Sequence, residues 1–189
     1  SIVDIAKDLL KLYANRETIR RLSYGPDTPW QKQLEDSFQF QETDDQIQAV
    51  ANIKKDLEGE KPMDRLLIGD VGFGKTEVSI RTAFKVAQEG KQIAILVPTT
   101  VLAEQHYYLF KERLAEFPVE VEMLSRFRDE GEQKKIVTRL QSGNIDIVIC
   151  RELTKIYEEV RHEKISESLE HFSKTNPKGE FVILFHLQK

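Results

Sequence analysis

Gly69-Asp70-Val71-Gly72-Phe73-Gly74-Lys75-Thr76 fits the pattern G-x-x-x-x-G-K-[ST] without a gap. The apolar run Arg65 to Ile68 before it reads as a strand, and residues Lys75 to Gln88 after it carry helical periodicity. A strand feeding a glycine loop that opens a helix is the geometry of a phosphate cradle. The glycines let backbone N–H groups turn inward around a β-phosphate, and the helix N-terminus adds its dipole. Lys75 brings a point charge to the β- and γ-phosphates, and Thr76 would ligate Mg²⁺. The stretch implies a nucleotide-binding chain.

Downstream of the loop, strand and helix keep alternating. Gly90 stops the first helix; Ile93 to Val97 reads as a strand, Val101 to Ala115 as a helix, and Val119 to Leu124 as a strand. Glu132 to Leu140 then reads as a helix and Ile145 to Ile149 as a strand. Near-continuous Ile/Leu/Val strands separated by helices predict an α/β fold, a parallel sheet with helices on both faces, in which ligands bind at the carboxyl ends of the strands. Upstream, Ile2, Ile5, Leu9, Leu12 and Tyr13 recur at helical spacing, which predicts one amphipathic helix over about 2 to 21 whose apolar stripe needs a partner surface. Tyr24-Gly25-Pro26-Asp27-Thr28-Pro29 is turn chemistry and reads as a linker. A helix with Ile47, Val50, Ala51, Lys54 and Leu57 on one face follows from Thr43 and ends at Gly59 to Pro62. Beyond Cys150, two helix-like stretches, 153–160 and 165–172, precede a turn at Asn176-Pro177-Lys178-Gly179 and the apolar run Phe181 to Phe185.

Composition narrows the classes. The 189 residues are 40% apolar and 32% charged, a soluble globular profile long enough to bury a sizeable core. The net charge of −4 argues against coating nucleic acid through bulk electrostatics, so any phosphate contact has to be patterned. The apolar runs are far shorter than the ~20 residues of a membrane span, and no signal peptide is recognisable, so a cytoplasmic protein with no membrane partner is expected. The single cysteine excludes an internal disulfide, and the four histidines show no metal-ligand spacing.

Three other segments carry candidate chemistry. Phe40-Gln41-Glu42-Thr43-Asp44-Asp45-Gln46 is a capping box, with Thr43 capping the helix and Gln46 reaching back. It is equally an adenine-recognition element, in which the Gln46 amide donates to and accepts from the base edge while Phe40 packs on it; both readings can hold at once. Pro98-Thr99-Thr100-Val101-Leu102-Ala103-Glu104-Gln105 ends a strand and opens a helix, a terminus that can hold a nucleic-acid phosphate or cap its own helix. Ser125-Arg126-Phe127-Arg128 follows the next strand, with two cations flanking an aromatic: a backbone grip for DNA or an exposed basic loop.

Phe40 to Gln46, the GDVGFGKTEV loop, VPTTVLAEQHY over Val97 to Tyr107 and LSRFR over Leu124 to Arg128 together resemble the bacterial transcription-repair coupling factors, superfamily-two DNA translocases. The similarity runs from about Val3 to Ile149 and includes the lead-in IAKDLLKLYA and the DTPWQ segment. RecG-like helicases share PMDRLL and GDVG. The resemblance implies an ATP-driven motor with two RecA-like lobes acting on double-stranded DNA and on RNA polymerase, whose interaction domain is absent from these residues. Carried over by position, Phe40 and Gln46 meet adenine. Gly69, Asp70, Val71, Gly72, Phe73, Gly74, Lys75 and Thr76 form the ATP and Mg²⁺ cradle, with Lys75 and Thr76 in the catalytic roles. Thr99, Thr100, Gln105 and Arg126 meet the DNA backbone.

The sequence departs from that family after Ile149. The family continues into a glycine-threonine-histidine loop and a strand ending in an acidic DEEQ or DEEH box; here Cys150-Arg151-Glu152-Leu153-Thr154-Lys155 follows instead. The stretch Cys150 to Leu184 is similar to the closing part of an rRNA ribose-2′-O-methyltransferase. The expected organisation is a helical lead-in and linker over 1–37, a partial RecA-like lobe over 38–149 and an unrelated tail over 150–189. Its expected function is an ATP-binding fragment of a DNA translocase, deficient in hydrolysis without the acidic box and second lobe. The alternatives are a protein-interaction fragment with a vestigial loop, or a RecG-like helicase fragment.

Overall fold

A computed structural model describes residues 6–7, 10–11, 13–14, 17–125 and 128–151. They divide at Glu89 and Gly90 into two compact units.

In the first unit the described positions between 6 and 18 are helical, and residues 19–28 run without regular structure. The predicted helix to Arg21 therefore ends earlier; Tyr13 of its predicted apolar side is exposed, and so is Leu10, which lies outside that stripe. The turn-rich segment that follows is tied down along its length. The Arg21 backbone N–H donates to Glu60 O at 2.8 Å, and its guanidinium donates to the carbonyls of Asp56 (2.9 Å) and Leu57 (2.6 Å). These are carbonyls that a helix end leaves without intrahelical partners. Asp27 lies between two ammonium groups, 2.6 Å from Lys54 Nζ and 2.8 Å from Lys85 Nζ. Lys85, buried, also meets Glu58 at 3.0 Å and Gly25 O at 2.8 Å. A buried ammonium needs this many partners to offset its lost hydration.

The segment runs into a helix absent from the sequence-based expectation, α1 (Pro29–Asp36). Pro29 sits at its first turn, and Thr28 Oγ1 accepts from the Gln31 backbone N–H at 3.2 Å. Leu34 and Gln31 of α1 are fully buried, and the Gln31 amide is satisfied by Glu35, Arg81 O and Gln88. Helix α2 (Asp44–Leu57) carries Asp44 and Asp45 in its first turn and Lys54 and Lys55 in its last, which complements its dipole at both ends. It buries Val50, Ile53 and Leu57 against Val78 of α3 (Lys75–Gln88), with Tyr24, Met63, Leu67 and Val86 packed around them.

Arg65 to Ile68 is not a strand. Leu67 joins that core, but Leu66 and Ile68 on the alternate side are 82% and 83% exposed. A strand is defined by its ladder, and no partner for one pairs with this segment among the described residues.

The second unit holds a three-stranded parallel sheet in the order β1-β3-β2, from β1 (Ile93–Val97), β2 (Val121–Leu124) and β3 (Ile147–Arg151). Helices α4 (Thr100–Arg113) and α5 (Glu130–Gln141) make the crossovers. On one face of β3, Val148 and Cys150 pack with Ile136 and Leu140 of α5; Ile147 and Ile149, which alternation points to the other face, are fully buried as well. Burial on both faces is why the sequence of β3 shows no polar alternation. The same burial pushes the Cys150 thiol up to about 11, leaving it protonated at neutral pH. Among the described residues no helix is long and apolar enough to cross a membrane. The calls on 152–189, including the helix-like stretches and the Phe181 to Phe185 run, lie outside the described residues.

Two predictions follow from this packing. Ile149→Ala should cost about 2–5 kcal/mol in urea unfolding, the range for emptying a closed core site. Burial pushes the Asp27 carboxyl up, but the hydrogen bonds and charges of Lys54 and Lys85 outweigh it and hold it below its ordinary value. Its contribution is then complete above the unfolded carboxyl pKa of about 3.9 and is lost as pH falls through the lower folded value. Asp27→Asn should lower stability at pH 7 and flatten the acid limb below about pH 4, measured as denaturation midpoint against pH.

Candidate nucleotide-binding site

The glycine loop has the geometry its sequence requires. Gly72 and Gly74 take φ of 87° and 70°, in the left-handed region that L side chains avoid. Gly74 is the N-cap of α3, and its carbonyl accepts from the Glu77 and Val78 N–H groups at 3.0 and 3.3 Å. Lys75 and Thr76 therefore stand in the first turn, where backbone N–H groups have no intrahelical acceptor and the dipole favours an anion. Lys75 Nζ folds back over the loop, donating to Gly69 O and Asp70 O at 2.5 Å each. Gly69 to Phe73 is exposed, and Gly74 to Thr76 is half-buried.

Gln46 is the residue that joins the upstream element to this loop. The capping box is formed: Thr43 Oγ1 accepts from Gln46 N–H at 3.3 Å, and Gln46 Oε1 accepts from Thr43 N–H at 2.9 Å. The other end of the same amide, Nε2, donates to Phe73 O at 3.1 Å. A Cβ at Gly74 would lie 2.4 Å from that Nε2, so the second reason for glycine there is the close approach of Gln46. Phe40 is 73% exposed and meets Phe38 edge to face at 5.6 Å.

Between the two elements lies a shallow cleft lined by Phe38, Glu42, Gln46, Val50, Gly74, Glu77, Val78 and Arg81. Sequence reading passed over Phe38, Glu42, Glu77 and Arg81. The available signal was Glu77 and Arg81 at i, i+4 within a helix whose neighbours Val78, Ile80 and Phe84 are core residues. Arg81 is 3% exposed; its Nε donates to Glu77 at 3.0 Å, and its Nη1 pairs with Glu42. Burial lowers its pKa, and the two carboxylates more than reverse this, so the guanidinium stays charged.

The other candidate residues lie in the second unit, at the carboxyl ends of β1 and β2. Thr99 is exposed and caps α4, its hydroxyl accepting from Leu102 N–H at 3.2 Å; Thr100 is buried; Gln105 is exposed on α4. Arg126 lies outside the described residues. Arg128 approaches Glu122 at 3.5 Å and the Tyr107 ring at 5.8 Å.

A family model described as DEAD/DEAH box helicase matches residues 43–175, running past Cys150 and into the tail expected to be unrelated to that family. Over 149 residues the chain is 52% identical to the transcription-repair-coupling factor of Bacillus subtilis (strain 168), covering 79% of this chain and 13% of that protein. It is 50% identical over 149 residues to that of Mycobacterium tuberculosis (strain CDC 1551 / Oshkosh), with 79% and 12% covered. The chain thus spans a small part of the length of these relatives. The solved structure of RecG bound to a three-way DNA junction superimposes with a TM-score of 0.70 at 34% identity, covering 80% of this chain and 21% of that one. The fold is accordingly an incomplete RecA-like lobe, and the chain belongs to the DEAD/DEAH box helicase family.

Proposed function

We propose that residues 38–88 bind ATP with Mg²⁺ and that the chain is the nucleotide-binding part of a DNA translocase that couples transcription to repair. The observation that carries the reading is the Gln46 amide joining the segment behind Phe40 to the glycine loop at Phe73. A primary amide has two lone pairs and two N–H groups. Thr43 and Phe73 engage one of each, which leaves one acceptor and one donor to pair with an adenine edge beside Phe40. The residues fit the group: Gly72 and Gly74 open the cradle, Lys75 takes the β- and γ-phosphates, and Thr76 offers its hydroxyl to Mg²⁺. The bound metal would neutralise phosphate charge.

Thr99, Gln105 and Arg126 are assigned to the DNA backbone, with Thr100 supporting the turn from its buried position. Double-stranded DNA and, in a full-length relative, RNA polymerase are the proposed partners. No methyl transfer is assigned to the tail. Binding and turnover separate in this proposal. Phosphoryl transfer needs positioned metal and charge around the transition state, and an arginine finger alone accounts for about 10³–10⁵ in rate. Without an acidic box after β3, these 189 residues should bind ATP and turn it over near background.

Mg-ATP at about a hundredfold over its dissociation constant should stabilise the chain by about 2.7 kcal/mol, read as a rise in melting temperature, and Lys75→Ala should abolish the rise. An unchanged melting temperature at millimolar Mg-ATP would favour the protein-interaction reading, to which the exposed Leu10 and Tyr13 are the pointer. Robust hydrolysis lost with Lys75→Ala would overturn the separation of binding from turnover. Gly74→Ala should cost about 1–3 kcal/mol of stability by urea melt, from the left-handed φ, and should also lose ATP binding because the new methyl displaces the Gln46 amide.

A further inference from the structure

The Arg81 guanidinium is placed where the two ends of a bound nucleotide would be set relative to each other. It stands on α3, the helix that opens with Lys75 and Thr76, and its partners reach back to the segment bearing Phe40 and Gln46. Nη1 holds Glu42, the residue before the Thr43 cap; the guanidinium carbon lies 5.3 Å from the Phe38 ring centre, and Phe38 in turn carries Phe40 edge to face. Nε is taken by Glu77 of the same helix, which fixes the side-chain direction. Arg81 Nη2 is buried and has no hydrogen-bond partner among the described residues. An unpaired buried donor is unfavourable, and apolar residues of similar volume often replace buried ion pairs without loss of stability. Stability alone therefore does not account for an arginine here.

We propose that Arg81 is a positioning residue that locks the Phe38–Glu42 segment onto the phosphate-binding helix, and so orients Phe40 and Gln46 for the adenine base. The inference rests on the ATP-site reading above. It adds that recognition of the base, unlike recognition of the triphosphate, depends on a side chain that touches neither. Groups held by packed and hydrogen-bonded neighbours keep productive geometry, and a loosened support is felt at the end it supports.

The test is equilibrium binding of Mg-ATP and of Mg-tripolyphosphate, which carries the phosphates without the base, to wild type, Arg81→Met and Glu42→Gln, with melting temperatures alongside. Glu42→Gln leaves the Arg81–Glu77 pair in place, so it remains informative if Arg81→Met fails to fold. Each folded variant should weaken Mg-ATP about tenfold while tripolyphosphate changes by less than about twofold. An equal loss for both ligands, or no loss for either, would overturn the proposal. Wild type binding neither ligand defeats the ATP-site reading itself, and this inference with it; wild type binding both while the variants keep its ratio defeats the inference alone.

Discussion

The Gln46 side chain is the contact on which the proposed nucleotide site depends. Its carbonyl closes the capping box that starts α2, and its NH₂ holds the Phe73 carbonyl of the glycine loop. Neither bond is strong in isolation, since a neutral hydrogen bond contributes about 0.5–1.5 kcal/mol net. Their value is geometric: one planar amide fixes the distance between a helix start and a loop that has few contacts of its own. The glycine at 74 is the counterpart, because a side chain there would displace the amide.

Around that contact the first unit is held by buried charge as much as by apolar packing. Arg81 and Lys85 are each almost completely buried, and each has carboxylate partners from distant segments: Glu42 for one, besides Glu77 of its own helix, and Asp27 and Glu58 for the other. Breaking such a pair leaves an uncompensated charge, so the segments before α2 are held to α3 more strictly than hydrophobic contact would demand. Residues with turn chemistry at 24–29 consequently run as an ordered strap on α2 and α3.

Local signals made the candidate site legible in the sequence. The glycine loop, the capping box at Thr43 and Gln46, and the parallel strands β1 to β3 are each written in short-range patterns, and the structure has them within a few residues of the expected bounds. The misses have separate causes, one local and two tertiary. Helix α1 carries a Thr cap and a proline at its first turn, but the preceding Gly25-Pro26 masked them as a continuing turn. Arg65 to Ile68 has strand composition without a ladder partner among the described residues, and composition cannot supply one. The Arg81 cluster depends on a contact across 39 positions that no local window contains. Thr99 illustrates a different limit: its cap bond to Leu102 is what either a DNA contact or a plain helix start would show.

The most direct measurement of the central claim is a crystal structure of the chain with Mg²⁺ and a non-hydrolysable ATP analogue. The account predicts the triphosphate against the N–H groups of Gly72 to Thr76, with Lys75 moved from the Gly69 and Asp70 carbonyls onto the phosphates and the base between Phe40 and the Gln46 amide. A triphosphate bound elsewhere, or a base directed away from Phe40 and Gln46, would contradict it.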